Sequence, residues 1–222
     1  MELETKAMWL YGASGHGKVI KEILEAQGVS VEGFIDDNPD IAELSGLLVV
    51  HKSDGLSPVI VSIGVNRIRK MIVERLKENN LTIEYGTAIH PSAVISPSAK
   101  IGEGTVVMAG AVINADAIIG KHCIVNTGAS IDHECVVGDY CHIAPHSTLC
   151  GQVKVGEGTL IGVGASVIPC KEIGSWCQIG AGAAVVSNIK DGTTAVGVPA
   201  RVIITNKNEN MKVKNPPPPP VD

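Results

Sequence analysis

One periodicity constrains this chain more than any other feature. Counting in steps of six from Ile89 to Val185, all seventeen positions are Ile, Val or Leu, without a slip or an insertion. A second column, two residues earlier, is mostly Ala, Thr, Cys or Ser, with Val153 and Lys171 departing from it. The residue after each aliphatic position is often Gly, as in IGEG, IGKH, VGDY and VGEG. Neither a 3.6-residue period nor simple alternation produces such a pattern. A hexapeptide β-helix does. Each six-residue piece is then a short strand plus a corner. The aliphatic residue fills the corner of a triangular prism, and the small residue two places earlier also points inward. Three sides make a coil of about eighteen residues, and coils stack about 4.8 Å apart, the spacing of paired strands. Ile89 to Val185 predicts between five and six coils. Composition agrees: aromatics are 3% and Gly is 25 of 222 residues, as a thin core of aliphatic and small side chains requires.

The register sorts the polar residues. Cys123, Cys135, Cys141 and Cys177 fall in the small inward column and read as core filler; an acyl-cysteine at Cys141 would face the core. His122, His142 and His146 take outward positions, and none reads as a core histidine. His133 lies just past a corner and is followed by outward Glu134. Gly151 is eighteen residues beyond His133, so a backbone N–H with no side chain sits one coil above an exposed His-Glu pair. A base beside an oxyanion donor suits acyl transfer. His133 and His142 are nine apart, half a coil, so they lie on opposite sides of one prism and share a site only across a subunit interface.

Residues 1–88 read as a separate α/β domain of Rossmann type. An apolar strand, a Gly-rich turn and an amphipathic helix follow each other in MWLYGASGHGKVIKEILEAQG, VEGFIDDN is a second strand ending in acids, and PVIVSIGVNRIRKMIVERLKENN repeats strand, turn and helix. The turn allows three readings. As a P-loop it places Val19 where a Mg²⁺-binding hydroxyl belongs. As a dinucleotide fingerprint it has Asp36 and Asp37 about twenty residues on, but only half a dinucleotide fold. As a sugar-nucleotide pocket it would set phosphates at the helix N-terminus and Asp36 or Asp37 on ribose or base, which the domain's size favours. Packing alone is the bland fourth reading. Residues 89–201 form the β-helix domain, and 202–222, with Pro216–Pro220, a Pro-rich disordered tail.

A net charge of −5 gives no pull toward nucleic acid or an anionic membrane. There is no stretch of transmembrane length and no signal-peptide pattern at the start, so a cytoplasmic protein with reduced cysteines is expected.

Three stretches together, YGASGHGKV with FIDDN, IDHECVVGDYCHIAP, and AVGVPA, resemble the bacterial sugar-nucleotide N-acyltransferases of bacillosamine type, relatives of the sialic acid O-acetyltransferases. The similarity covers about Met8 to Arg201. The resemblance implies a Rossmann-like domain followed by a left-handed β-helix, a homotrimer with active sites between subunits, and acetyl-CoA-dependent acetylation of the 4-amino group of a nucleotide-linked amino-dideoxy sugar, UDP-linked or of GDP-perosamine type. It implies His133 as general base and Glu134 as the neighbour that raises its basicity. Ser14, Gly15, His16, Asp36, Asp37 and Gly64 would bind the sugar nucleotide; His142, Gly151, Val163 and Ala181 would bind acetyl-CoA, with no metal. The main rival is O-acetylation of a sialic acid. A metal hydratase of γ-carbonic anhydrase kind also uses this solenoid, but no spacing here puts two histidines on one face. A non-catalytic nucleotide-sugar sensor leaves the exposed His-Glu pair without a purpose.

Overall fold

The structure, a computed structural model, describes residues 7–205. Strand β1 (Met8–Tyr11) leads through the Gly-rich turn to helix α1 (Gly15–Ala26) and β2 (Val31–Ile35). A hairpin of β3 (Glu43–Leu44) and β4 (Leu47–Val50) precedes β5 (Val59–Val61) and helix α2 (Asn66–Asn79). The sheet order is β3-β4-β2-β1-β5, parallel except for β3. The apolar side of α1, with Ile20, Ile23 and Leu24 fully buried, packs on Leu10 and Phe34 of the sheet.

From Ala88 onward the chain forms seventeen two-residue strands, β6 (Ala88–Ile89) through β22 (Ala184–Val185), in three parallel sheets. Every strand pairs with the one eighteen residues away, as Val112 with Ser130 and Ile124 with His142. The six-residue register is therefore the structural repeat. All four inward cysteines are buried and free, in one core with the corner aliphatics. Where the corner residue is followed by Gly, the reason is contact between coils: a Cβ on Gly102, Gly120, Gly138 or Gly156 would lie 2.5–2.8 Å from the coil above. The fold continues past residue 201. Strand β24 (Arg201–Thr205) pairs antiparallel with β23 (Thr193–Val196), so the first residues of the expected tail extend the sheet, while Ala195 and Ala200 join the core of the prism. Pro216–Pro220 lies outside the described residues.

The α/β domain covers one face of the prism, the one carrying Val106, Ile124 and His142. Met8, Leu10 and Ala13 share a core with Ala88, Val106, Met108 and Ile124. Helix α2 reinforces the docking. Asn66 donates to the Gly158 carbonyl at 3.1 Å, Arg67 lies 4.5 Å over the Trp176 ring, and Lys70 pairs with Glu157 at 2.5 Å. Arg69 is the deepest anchor, 1% exposed. It donates to the His122 and Tyr140 carbonyls of the β-helix at 2.8 Å and to the Ile63 and Gly64 carbonyls of its own domain at 2.8 and 3.2 Å. A buried cation with only dipoles around it is tolerated because nearly every donor of its planar fork is used.

Candidate active site

His133 and Glu134 sit at the corner between the face of β13 (Ser130–Ile131) and the face of β14 (Val136–Val137). Both side chains are exposed. His133 Nδ1 lies 3.1 Å from Glu134 Oε2, which leaves Nε2 as the free, basic nitrogen when the Nδ1 proton faces the carboxylate. Asp132 Oδ1 accepts the His133 backbone N–H at 2.8 Å and the Asn114 side-chain amide at 3.0 Å, and these bonds hold the Asp132 carboxyl below its usual range. The corner is thus braced from the coil below. From the coil above, Gln152 donates to Glu134 Oε2 at 2.9 Å. Glu134 sits below the ordinary carboxylate range through that bond first and the His133 contact second.

Gly151 completes the corner. A Cβ there would be 2.5 Å from His133 Nε2, so any other residue would displace the imidazole. The Gly151 N–H has no acceptor among the described residues. It is therefore a free donor beside a free base.

A second cluster forms in the cleft between the Gly-rich turn and the covered face. His16, at the start of α1, approaches His142, on β15 (His142–Ile143). His142 Nε2 is 3.0 Å from the Asn126 side-chain amide, and its ring faces the Gly64 backbone. Burial pushes His16 down to about 4, with the Arg69 charge adding to it. Burial, Arg69 and then His16 push His142 down to about 4. Both rings are neutral at physiological pH. His16 Nε2 is buried and has no hydrogen-bond partner among the described residues.

The acids behind the turn are engaged. Asp36 Oδ2 accepts from the Ala13 N–H at 2.7 Å and Oδ1 from the Asn38 N–H at 2.9 Å, so its carboxylate shapes the turn. Asp37 pairs with Arg75 at 2.8 Å and with the Tyr11 hydroxyl at 2.5 Å; partial burial would raise its carboxyl, but these bonds outweigh burial and lower it. Ser14 and Gly15 are exposed beside them. Gly12, with φ +119, cannot be replaced without meeting Ile63 at 2.6 Å, and a Cβ on Gly17 would meet the Gly12 carbonyl at 2.5 Å.

The structure brings His16, Gly64 and His142 together, although the sequence reading assigned them to two different ligands. It does not bring His133 to them within one chain: His142 lies on the covered face and His133 at the corner opposite. Val163 and Ala181 occupy a third place, the corner after β18 (Leu160–Ile161), where Gly182 N donates to the Val163 carbonyl at 2.8 Å and both side chains are exposed on adjacent coils. Gly151 stands with His133, away from Val163.

His122 is buried, which its outward position alone did not indicate. It points out of the prism as expected, yet it is 3% exposed, because Tyr85 packs edge-on at 4.6 Å and Tyr140 stacks at 5.3 Å beneath the α/β domain. Arg69, Asn126 and Gln152 were not singled out from the sequence. Stepping eighteen from Glu134 reaches Gln152; Arg69 has no such signal.

Residues 8–76 match the family of the PglD N-terminal domain, and residues 72–178 match that of the GMPPB C-terminal domain. The UDP-N-acetylbacillosamine N-acetyltransferase of Bacillus subtilis (strain 168) is 42% identical over 111 residues, 44% of this chain. That match spans about half, 49%, of the curated relative's length. The structure of PerB from Caulobacter crescentus in complex with CoA and GDP-perosamine superposes with a TM-score of 0.83 at 40% identity, over 91% of this chain and 100% of that one. The acetyltransferase domain of PglB from Neisseria gonorrhoeae FA1090 gives 0.82 at 37%, over 89% and 99%. The solenoid is thus a left-handed β-helix behind a Rossmann-like domain.

Proposed function

The chain belongs to the bacillosamine- and perosamine-type sugar N-acetyltransferase family, and from that premise we propose that it moves the acetyl group of acetyl-CoA to the 4-amino group of a nucleotide-linked amino-dideoxy sugar. The observation that carries this reading is the exposed His133–Glu134 pair with the Gly151 N–H one coil above it. The amine nitrogen attacks the thioester carbonyl and forms the C–N bond. His133 Nε2 takes the proton the amine must lose, and Glu134 stabilises the imidazolium that results. The Gly151 N–H faces the oxyanion. The C–S bond then breaks, and the thiolate leaves with the proton returned from His133. No covalent enzyme intermediate is needed.

The sugar nucleotide occupies the turn Ser14–His16 with Asp36, Asp37 and Gly64 behind it. The exposed Ser14 and Gly15 at the start of α1 support this, since the first N–H groups of a helix favour a phosphate. Acetyl-CoA runs past His142 and Gly151 and along the Val163–Ala181 column. These groups lie on different sides of one prism, so the working unit is a homotrimer in which His133 of one copy faces the cleft of the next. The cytoplasm supplies both substrates.

Thiol release from acetyl-CoA, measured against a panel of UDP- and GDP-linked 4-amino sugars, tests the reading. Turnover that requires a free amine supports it. Turnover with a hydroxylated sialic acid and none with any amino sugar sinks it.

A further inference from the structure

The corner that holds His133 also carries a column of side chains on unusual backbone. Asp116, Glu134, Gln152 and Cys170, eighteen residues apart, have φ of 59, 58, 62 and 59°. The equivalent turn positions at another corner are Gly110, Gly128, Gly164 and Gly182, with only His146 carrying a side chain there. A left-handed conformation costs a residue with a Cβ on the order of 1–2 kcal/mol, and Gly avoids that cost. Here the column keeps side chains, and three of them are linked. The Cys170 thiol donates to Gln152 Oε1 at 3.4 Å, Gln152 Nε2 donates to Glu134 Oε2 at 2.9 Å, and the same Oε2 faces His133 Nδ1 at 3.1 Å.

The order of groups fixes the direction of the chain. With the thiol on Oε1, the Gln152 amide presents its N–H to the carboxylate; a flipped amide would set oxygen against oxygen. Glu134 is solvent-exposed and has three rotatable bonds, so one contact with His133 does not hold it. Of the two bonds that lower its carboxyl below the usual range, the one from Gln152 acts more strongly.

We infer that Gln152 is a positioning residue for the acetyl transfer: it pins Glu134 Oε2 against His133 Nδ1, so that Nε2 is presented unprotonated to the substrate amine. This rests on the acetyltransferase reading above. Cys170 acts one step further out by orienting the Gln152 amide.

The test compares Gln152→Met, which keeps the side-chain length but removes the donor, with the unaltered protein and with Glu134→Ala. Gln152→Met lowers kcat about tenfold, the low end for loss of a group that orients a functional histidine, with both KM values within about twofold. In the Glu134→Ala background the same substitution has no further effect, because its target is gone. Cys170→Ala gives a smaller loss than Gln152→Met. Independently of turnover, ¹⁵N shifts of the His133 ring report a dominant Nδ1–H tautomer in the unaltered protein and a mixture in Gln152→Met. Equal losses in both backgrounds, or an unchanged tautomer, overturn the proposal. If the unaltered protein acetylates no amino sugar, the functional reading fails, and the tautomer still decides the role of Gln152.

Discussion

Nε2 of His133 occupies space that a Cβ on residue 151 would invade to within 2.5 Å, one coil away along the same corner. Gly151 does not have a left-handed φ, so its backbone tolerates Ala, and the imidazole is the free end of an exposed side chain. The expected result of Gly151→Ala is therefore a stability change under about 1 kcal/mol but a displaced base, with kcat lowered at least tenfold. A variant that keeps its kcat would show that His133 need not sit against residue 151.

Glu134 offers the opposite trade. Its φ of 58° costs on the order of 1 kcal/mol, and glycine removes this cost while adding a comparable loss of chain entropy. Glu134→Gly should leave Tm unchanged or slightly raised while kcat falls. A Tm drop of several degrees would mean that the contacts to His133 and Gln152 stabilise the corner more than the strain costs.

Much of this was legible in the sequence because a β-helix repeats one local solution. Ile131 and Leu149 meet the same neighbours as every other corner residue, so position alone assigns them, and the inward Cys135 and outward Glu134 follow. The docking of the two domains is not periodic. Arg69 falls on a helix with no repeat to place its side chains, and only the packed structure shows its donors reaching the His122 and Tyr140 carbonyls. His122 was placed outward correctly; what covers it comes from Tyr85, nearly forty positions earlier. The His16–His142 approach was missed for the same reason.

Arg69 and Arg75 lie on the same helix in different surroundings, and Lys substitutions should separate them. Lysine has three donors on a point charge and cannot reproduce a fork that spans two domains. Arg69→Lys is expected to cost about 2–4 kcal/mol through the carbonyls it leaves unpaired. Arg75→Lys, at an exposed pair with Asp37, should cost under about 1 kcal/mol. Urea unfolding of both variants measures this, and equal costs would contradict the anchoring role.

The interdomain histidines make stability fall with acid. His16, His122 and His142 protonate at about 4 in the folded chain, chiefly because burial disfavours the charged ring, against about 6.5 when unfolded. Between those values the unfolded chain binds more protons, so lowering the pH favours unfolding. The contribution is complete above pH 6.5 and is lost progressively toward pH 4, roughly 3 kcal/mol for one such ring. The urea midpoint should therefore drop between pH 6.5 and 4.5. His122→Phe keeps a ring between Tyr85 and Tyr140 and removes the buried Nδ1, which has no partner among the described residues, so it should flatten the slope without loss at pH 7. An unchanged slope would remove His122 from the account.

The last expectation is that the active site is shared between chains. Within one prism His133 stands at a corner opposite the face where His16 and His142 meet, and coils stacked in an unbroken register cannot fold back to join them. In the proposed homotrimer the corner of each copy would face the cleft of its neighbour in a closed ring. Two inactive variants can then complement each other. His133→Ala removes the base, with a loss of about 10²–10⁴ in kcat. Val163→Arg places a charged side chain in the proposed acetyl-CoA groove. Separated and reassociated together, they form mixed trimers in which some interfaces combine an intact His133 with an intact Val163, and activity should rise above that of either variant alone. Verified mixed trimers with no gain would place the whole site within one chain, and the separation of His133 from His142 by half a coil would have no functional meaning.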